Sequence, residues 1–509
     1  MSTFGTTTCT RARPKVYLWP DRKRTGRLDL SPWVTAFDFS KQLAQPTGQW
    51  SVNLAGRQGG SGVANLAVPA ELERIVQPNS LVTIGMEEAG GIVVGLVDDG
   101  PRTVNTYSSG QVRRELQITG SDMGKLLSQD HIVHASLTVE ATPDYIAKIK
   151  AVCGPDNALV GSLPGAWGPI NPLTKAPTFL AARIDDVASW ILSAGASVNV
   201  PALAGLGGVG ALKEFIKRDI TTWNDDRLFS EAPKDYNGTL WGFLQSIIDT
   251  DFYESIIDSL VPPTLQEMPE VRLTIRPKPY DSRAVNNVPG LGVPTSEWAG
   301  TTWEDLRTRI DGDEHWHIPH NQVLRADLSR TDADVMSYYH VTADHELIGN
   351  PTAEAEGLYY PATDLFAVQR AGLRAYQGRL SLVAADFADT AARQNSTETA
   401  QAVVEFRNRL LNWYRLAEYY EAGSITVTGR DRYRVGDPVY LPWHWPRRGY
   451  RPGVRFYCVG TSHRWQRGGH YTTTLRLARG HNSSVLDTAR ADIAIAGTRA
   501  GLPGMVATT

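Results

Sequence analysis

The stretch from Gly423 to Gly480 constrains this chain more than any other, because it reads as three or four short strands joined by tight turns. Ser424 to Thr428, Arg455 to Val459 and Tyr471 to Leu477 alternate their side chains between two faces, the period of a strand. Val435-Gly436-Asp437-Pro438 is a turn that re-enters a strand at Val439-Tyr440-Leu441, and Gly468-Gly469 forms a hairpin corner. Nothing in the stretch is arranged to make or break a covalent bond. It suits a sheet that presents an outer surface, which points to an assembly part before an enzyme.

Composition narrows the class further. At 509 residues the chain exceeds one core, and length alone suggests roughly three or four domains. A net charge of −3 argues against a dedicated binder of nucleic acid or anionic membrane. Between Arg430 and Arg467, however, nine arginines face two aspartates. They form either a solvated strand face with salt bridges to other proteins or an electropositive patch for an acidic partner. Cys9, Cys153 and Cys458 are odd in number and lack C-x-x-C spacing, so no disulfide framework is expected and a reducing cytoplasm fits synthesis. No apolar run reaches membrane-spanning length, and the N-terminus carries no signal-like run. Val198 to Leu212, the most apolar segment, is broken by Pro201 and several glycines and reads as a mobile loop.

The predicted fold class is α+β, mainly β, with four parts. Residues 1–130 form an all-β unit with strands at Lys15–Trp19, Asp29–Ser40, Gln49–Leu54, Asn79–Gly85, Gly91–Val97 and Arg113–Thr119. Gly120-Ser121-Asp122 then caps a short helix at Met123–Ser128. Residues 131–320 are helical and irregular. One amphipathic helix starts near Asp185, with Ile184, Val187, Ala188, Ile191 and Leu192 on one face; another spans Asn237–Leu260 with Thr239 as N-cap. A strand follows at Glu270–Pro277. Residues 321–480 form a second β unit, with strands at Asn321–Arg330, Ser337–Ala343 and Gly378–Val383. A helix over about 397–422 ends at Gly423 as its C′ glycine. Residues 481–509 cannot bury a core and read as a flexible arm.

Catalytic and metal chemistry finds little support. His315, His317 and His320 are the densest histidine cluster, with Asp311, Asp313 and Glu314 upstream. Zinc would need a fourth ligand and a regular spacing that Pro319 interrupts. Polar loop histidines at a domain junction are the commoner case. His463 reads as a hydrogen-bonded core residue. No G-x-S-x-G, H-E-x-x-H or Walker sequence occurs, and Gly205–Gly210 lacks the strand and Lys-Ser/Thr of a phosphate loop. Paired carboxylates such as Asp98-Asp99, Asp185-Asp186 and Asp225-Asp226 sit where aspartate satisfies backbone N–H groups. No cofactor and no catalytic residue is expected.

Three ordered sets of residues resemble bacteriophage baseplate hub proteins, the late control protein D group and hubs of related contractile machines. The first is Gly423–Gly429, Val435-Gly436-Asp437-Pro438-Val439, Val459–His463 and Tyr471–Leu477. The second is Leu240-Trp241, Leu244-Gln245, Phe252-Tyr253-Glu254, Asp258 and Leu273, with Arg276-Pro277-Lys278-Pro279-Tyr280-Asp281. The third is Gly120-Ser121-Asp122 followed by Leu126-Leu127. The resemblance implies two tail-tube-like β-barrels that are duplicates of one another, and a homotrimer with sixfold-like symmetry. It implies as partners the tail tube, the central spike, the tape-measure protein and wedge or other baseplate proteins. DNA would be met only in transit, and the location would be the virion tail. The expected contacts are Arg430, Arg432, Arg434, Asp437, Arg447, Arg448, Thr472, Thr474 and Arg476. A tail-associated peptidoglycan hydrolase or peptidase and a host-surface carbohydrate-binding protein are the alternatives.

Overall fold

A computed structural model describes residues 13–20, 27–43, 45–56, 71–87, 90–108, 111–129, 131–136, 180–182, 188, 216–220, 228–232, 235–248, 250–251, 253–260, 270–278, 318–343, 362–380, 382–384, 407, 410–411, 413–414, 417–429, 433–444 and 451–481. The fold is α+β and mainly β. The N-terminal strands are β1 (Pro14–Trp19), β2 (Leu28–Asp29), β3 (Val34–Gln42), β4 (Gln49–Ala55), β5 (Leu81–Met86), β6 (Gly90–Val97), β7 (Arg102–Ser108) and β8 (Gln111–Asp122). The middle of the chain contributes β9 (His131–Ser136), β10 (Leu180–Ala182), β11 (Ile216–Ile220), β12 (Leu228–Ala232), β13 (Asp235–Thr239), β14 (Tyr253–Leu260) and β15 (Glu270–Pro277). Then come β16 (Val323–Arg330), β17 (Tyr338–Ala343), β18 (Ala362–Thr363), β19 (Ala375–Leu380) and β20 (Leu382–Ala384). The chain closes with β21 (Glu421–Thr428), β22 (Pro438–His444), β23 (Arg451–Gln466) and β24 (Thr472–His481).

Strands from the two ends of the chain merge into one 13-stranded sheet, ordered β16-β21-β24-β23-β3-β4-β8-β6-β5-β1-β2, with β22 on β23 and β7 on β8. Its central band contains the same four-strand unit twice. In β16-β21-β24-β23 and in β3-β4-β8-β7, the first two strands are antiparallel neighbours, and the last two run antiparallel as a hairpin. The two units meet where β23 pairs antiparallel with β3, from Gly460 opposite Gln42 to Gln466 opposite Ala36.

Each unit covers its own apolar core. Val16, Leu18, Phe37, Trp50, Val52, Ile84 and Ile118 fill the first; Trp465 and Tyr471, from the other end of the chain, complete it. Ile425, Val427, Tyr433, Val439, Phe456 and Leu475 fill the second. Trp50 anchors the first core through its indole N–H, which donates to the Ser121 carbonyl at 3.0 Å. Gly120 makes room for that ring: a Cβ there would lie 2.2 Å from Trp50 Cζ2.

Two expected helices end early. Thr239 does cap a helix, its Oγ1 accepting from the Gly242 N–H at 3.0 Å, but that helix covers Leu240–Ile247 only. Tyr253–Leu260 is a strand. Residues 253–257 are buried on both faces, Glu254 and Ser255 included, so polar and apolar residues do not alternate there to separate strand from helix. Glu421 opens β21, so no helix extends to residue 422, and Gly423 is not a helix C′ residue. Gly423 lies inside β21, opposite Leu328 of β16 and at a register shift against β24, with φ +147°. A Cβ there would meet the Asp327 carbonyl oxygen at 2.0 Å. Gly423→Ala is therefore expected to cost about 2–4 kcal/mol, read as a lower thermal midpoint. A midpoint unchanged in the variant would contradict this reading of the bulge.

The expected strands at Ser337–Ala343 and Gly378–Val383 leave the main sheet. β17, β18 and β19 form a small sheet of their own, and β20 joins β10 and β12. The helix near Asp185 (Ala188 apart), the Val198–Leu212 loop, residues 482–509, and most of the residues before 417 in the expected helix over 397–422 lie outside the described residues.

Candidate assembly surface

One face of the central band carries hydroxyls and amides from end to end. Tyr471, just before β24, and Thr473, Leu475 and Leu477 within it turn inward, while Thr472, Thr474 and Arg476 turn outward. Pairing carries that outward set across the junction of the two units. One row reads Thr428, Thr472, Arg464, Asp38, Ser51, and the next reads Thr426, Thr474, Ser462, Ser40, Gln49. The Thr426 and Thr474 hydroxyls lie 3.1 Å apart, and Arg476 Nη1 donates to Gln42 Oε1 at 3.2 Å. Arg464 sits 3.5 Å from Asp38, an exposed pair that adds little stability. The face has few net charges and little apolar surface. It suits contact with water rather than with another core.

The band ends in open edges. β16 pairs only with β21 among the described residues, and its strand is exposed on both sides, with Leu324 56 % exposed. β7 pairs only with β8 among the described residues. Leu324 occupies a bulge between Val323 and Arg325, and bulges and charged residues such as Arg325 and Asp327 are how open edges avoid indiscriminate pairing.

Behind the band, a buried polar seam stitches the middle of the chain to both β units. Lys41 of β3 donates to the carboxylate of Asp122, at the end of β8, and to the Ile257 carbonyl in β14. These two side chains are 8 % and 3 % exposed, so the pair is desolvated. Arg276 of β15 donates from Nε to Glu254 Oε1 of β14 at 2.5 Å, and from Nη2 to the Gly436 carbonyl. The Tyr457 hydroxyl donates to Glu254 Oε2 from β23. Arg434 Nη1 lies 2.6 Å from Asp258 Oδ2.

Burial sets the protonation of this seam. It pushes the Asp122 carboxyl up against the pull of Lys41, and it raises the Tyr457 phenol, helped by the Glu254 charge. For Arg276, burial alone would lower the pKa; Glu254 and Tyr457 outweigh it and hold the guanidinium charged. Burial, with Arg434 nearby, pushes His463 down to about 3, leaving a neutral ring. That ring lies 2.9 Å from the Tyr471 hydroxyl and stacks on Phe39, the core role its sequence context suggested. Burial also pushes the Cys458 thiol up, so it stays protonated and unreactive. The cavity among Lys41, Asp122, Asp258, Arg434, Thr461 and His463 has a volume of about 20 Å³, room for one water and not for a substrate.

Of the contact residues expected from sequence, Thr472, Thr474 and Arg476 lie together on the outward face. Arg434 and Asp437 sit instead at the seam, where Arg434 is engaged within the chain. Arg430, Arg432, Arg447 and Arg448 lie outside the described residues, as do His315 and His317. His320 opens a 3-10 turn, and among the described residues no group of three or more His, Cys, Asp or Glu could hold a metal. No described helix is long and apolar enough to cross a membrane. The outward rows were legible as alternation. Asp122 stands in the capping Gly120-Ser121-Asp122 and Glu254 in the Phe252-Tyr253-Glu254 set, but no local pattern marks either of them, or Lys41, as a buried charge, because a charged residue in a strand usually faces solvent.

No family model matches the chain, and no curated protein matches it. Solved structures it is similar to include phage tail proteins and a type VI secretion component. A tail protein from Neisseria meningitidis shares 13 % identity at a TM-score of 0.43, over 92 % of this chain and 96 % of that one. The 43 kDa tail protein of prophage MuSo2 from Shewanella oneidensis shares 10 % identity at 0.43, over 92 % and 97 %. A component of the type VI secretion system of E. coli, described as structurally similar to T4 tail proteins, shares 8 % identity at 0.36, over 88 % and 74 %. At these scores the likeness fixes neither fold nor activity for this chain.

Proposed function

We propose that this chain is the structural hub of a phage or phage-like tail. Three copies would close into a ring that joins the tail tube to the central spike. The observation that carries this reading is the doubled four-strand unit. Within one chain, the outer edge of β23 receives β3. β7 holds the place in its unit that β23 holds in the other, and β16 holds the place of β3. The join already made inside the chain is thus the pattern for a join between copies, β7 of one against β16 of the next. Such a head-to-tail contact is heterologous and closes into a ring when its rotation divides a full turn. Three copies give six near-equivalent units, the symmetry a tail tube would meet.

The outward hydroxyl and amide face would line the opening. Its near-neutral, hydrated surface suits passage of DNA or a tape-measure protein without reading sequence, since base readout needs donors and acceptors matched to base edges. Thr472, Thr474 and Arg476 lie on that face. The chain's role is then mechanical: large interfaces hold the parts together until the tail fires. Purified full-length protein viewed by negative-stain electron microscopy should show three-lobed rings with a central opening. Particles without an opening would count against it.

A further inference from the structure

At the seam one carboxyl stands apart. Asp437 follows the Val435-Gly436 turn that leads into β22, where Gly436 holds φ +87° and offers its carbonyl to Arg276. The Asp437 backbone is anchored to β23, its carbonyl accepting from the Cys458 N–H at 2.9 Å. Its Oδ2 is sealed from solvent and has no hydrogen-bond partner. The groups that face it are Asp258 from β14, Arg276 from β15, Arg434 at the head of the turn and Cys458 from β23. Both arginines already serve other carboxylates: Arg276 serves Glu254 and Arg434 serves Asp258. An ionised Asp437 would therefore sit near Asp258 with only the Arg434 backbone N–H as a donor and its Oδ2 unpaired.

We propose that Asp437 is a proton-held catch: with its proton on, the C-terminal β unit seats against the β14–β15 hairpin, and without it that joint opens more readily. The inference is independent of the hub reading.

Burial, with the Asp258 charge, pushes the Asp437 carboxyl up to about 8, against an ordinary value of 3.8 in the open or unfolded chain. The closed joint thus binds the proton more tightly than the open one. Its advantage is whole below the ordinary carboxylate range, shrinks as pH rises, and levels off above about 8. His463 acts oppositely, favouring the closed form as pH rises from about 3 to 6.5. The window from pH 6.5 to 8 therefore isolates the carboxyls.

Cys458, a buried thiol at the joint, reports opening directly. The test uses the full chain with Cys9→Ser and Cys153→Ser, and measures the rate of Cys458 labelling by a thiol reagent from pH 6.5 to 8.5. Dividing by the rate for the same chain carrying Asp437→Asn removes the thiol's own pH dependence. The ratio is expected to rise by about tenfold across the window. A flat or falling ratio overturns the proposal. Should Asp437→Asn not fold, the thermal midpoint of the parent chain decides: a fall between pH 6.5 and 8 supports the catch, and a constant or rising midpoint overturns it.

Discussion

Lys41→Met is expected to lower stability by about 3–5 kcal/mol, the largest loss of any substitution considered. The ammonium serves two buried acceptors, the Asp122 carboxylate and the Ile257 carbonyl, and removal orphans both. The Asp122 side chain is 3 % exposed, so water cannot replace the lost partner. Asp122 would have to take up a proton, and part of the loss should therefore be recovered at low pH. A second substitution separates the charge from the contact. Asp122→Asn keeps an oxygen to accept from the Gly124 N–H, at 3.0 Å in the parent, while removing the stranded charge. The double variant should regain a large part of the loss, because a buried pair replaced by neutral groups is often near neutral in stability. Denaturant midpoints at constant m-value measure both. A Lys41→Met chain within about 1 kcal/mol of the parent would mean that the seam is solvated and does not hold the middle of the chain in place.

Leu324→Asp is expected to abolish assembly while leaving the monomer folded. Leu324 is 56 % exposed on an edge strand whose other residues are largely exposed, so it contributes little to the core of its own chain. In a ring closed through β16 it would be buried three times over. Each burial lost, and each carboxylate forced into a strand interface, costs about 2–3 kcal/mol. Summed over three joints, the substitution should move the trimer–monomer midpoint by at least about a thousandfold in concentration. Sedimentation velocity on parent and variant reads the shift, and an unchanged thermal midpoint shows that the monomer is intact. If the variant assembles as well as the parent, the β16 edge is not the joint.

How much of this was visible in the chain depends on how far apart the interacting residues are. Most strands of the first unit, the turn at Val435-Gly436, the hairpin at Gly468-Gly469 and the cap at Thr239 are local patterns that the structure keeps, but β7 has no expected counterpart and a 3-10 turn at Ser31–Trp33 interrupts the strand expected over Asp29–Ser40. Tyr253–Leu260 failed because residues 253–257, buried on both faces, leave no period of two to read. Gly423 failed because a glycine after a helical pattern fits a helix end as well as a bulge; only the carbonyl of Asp327 decides between them. The junction of β23 with β3 joins opposite ends of the chain, and no pattern in either strand names the other. The seam was hidden for the same reason. Arg434 and Asp437 read as surface contacts because their partners, Asp258 and Arg276, arrive from a hairpin far upstream.

Native mass spectrometry of the purified full chain addresses the central claim most directly, because the doubled strand unit leaves one matching pair of edges per copy. The expected spectrum is dominated by a species of three times 55.8 kDa, with no ladder of larger masses, since a closed ring has no edge left to extend. A spectrum holding only the 55.8 kDa monomer, at concentrations where the parent shows no aggregation, would contradict it.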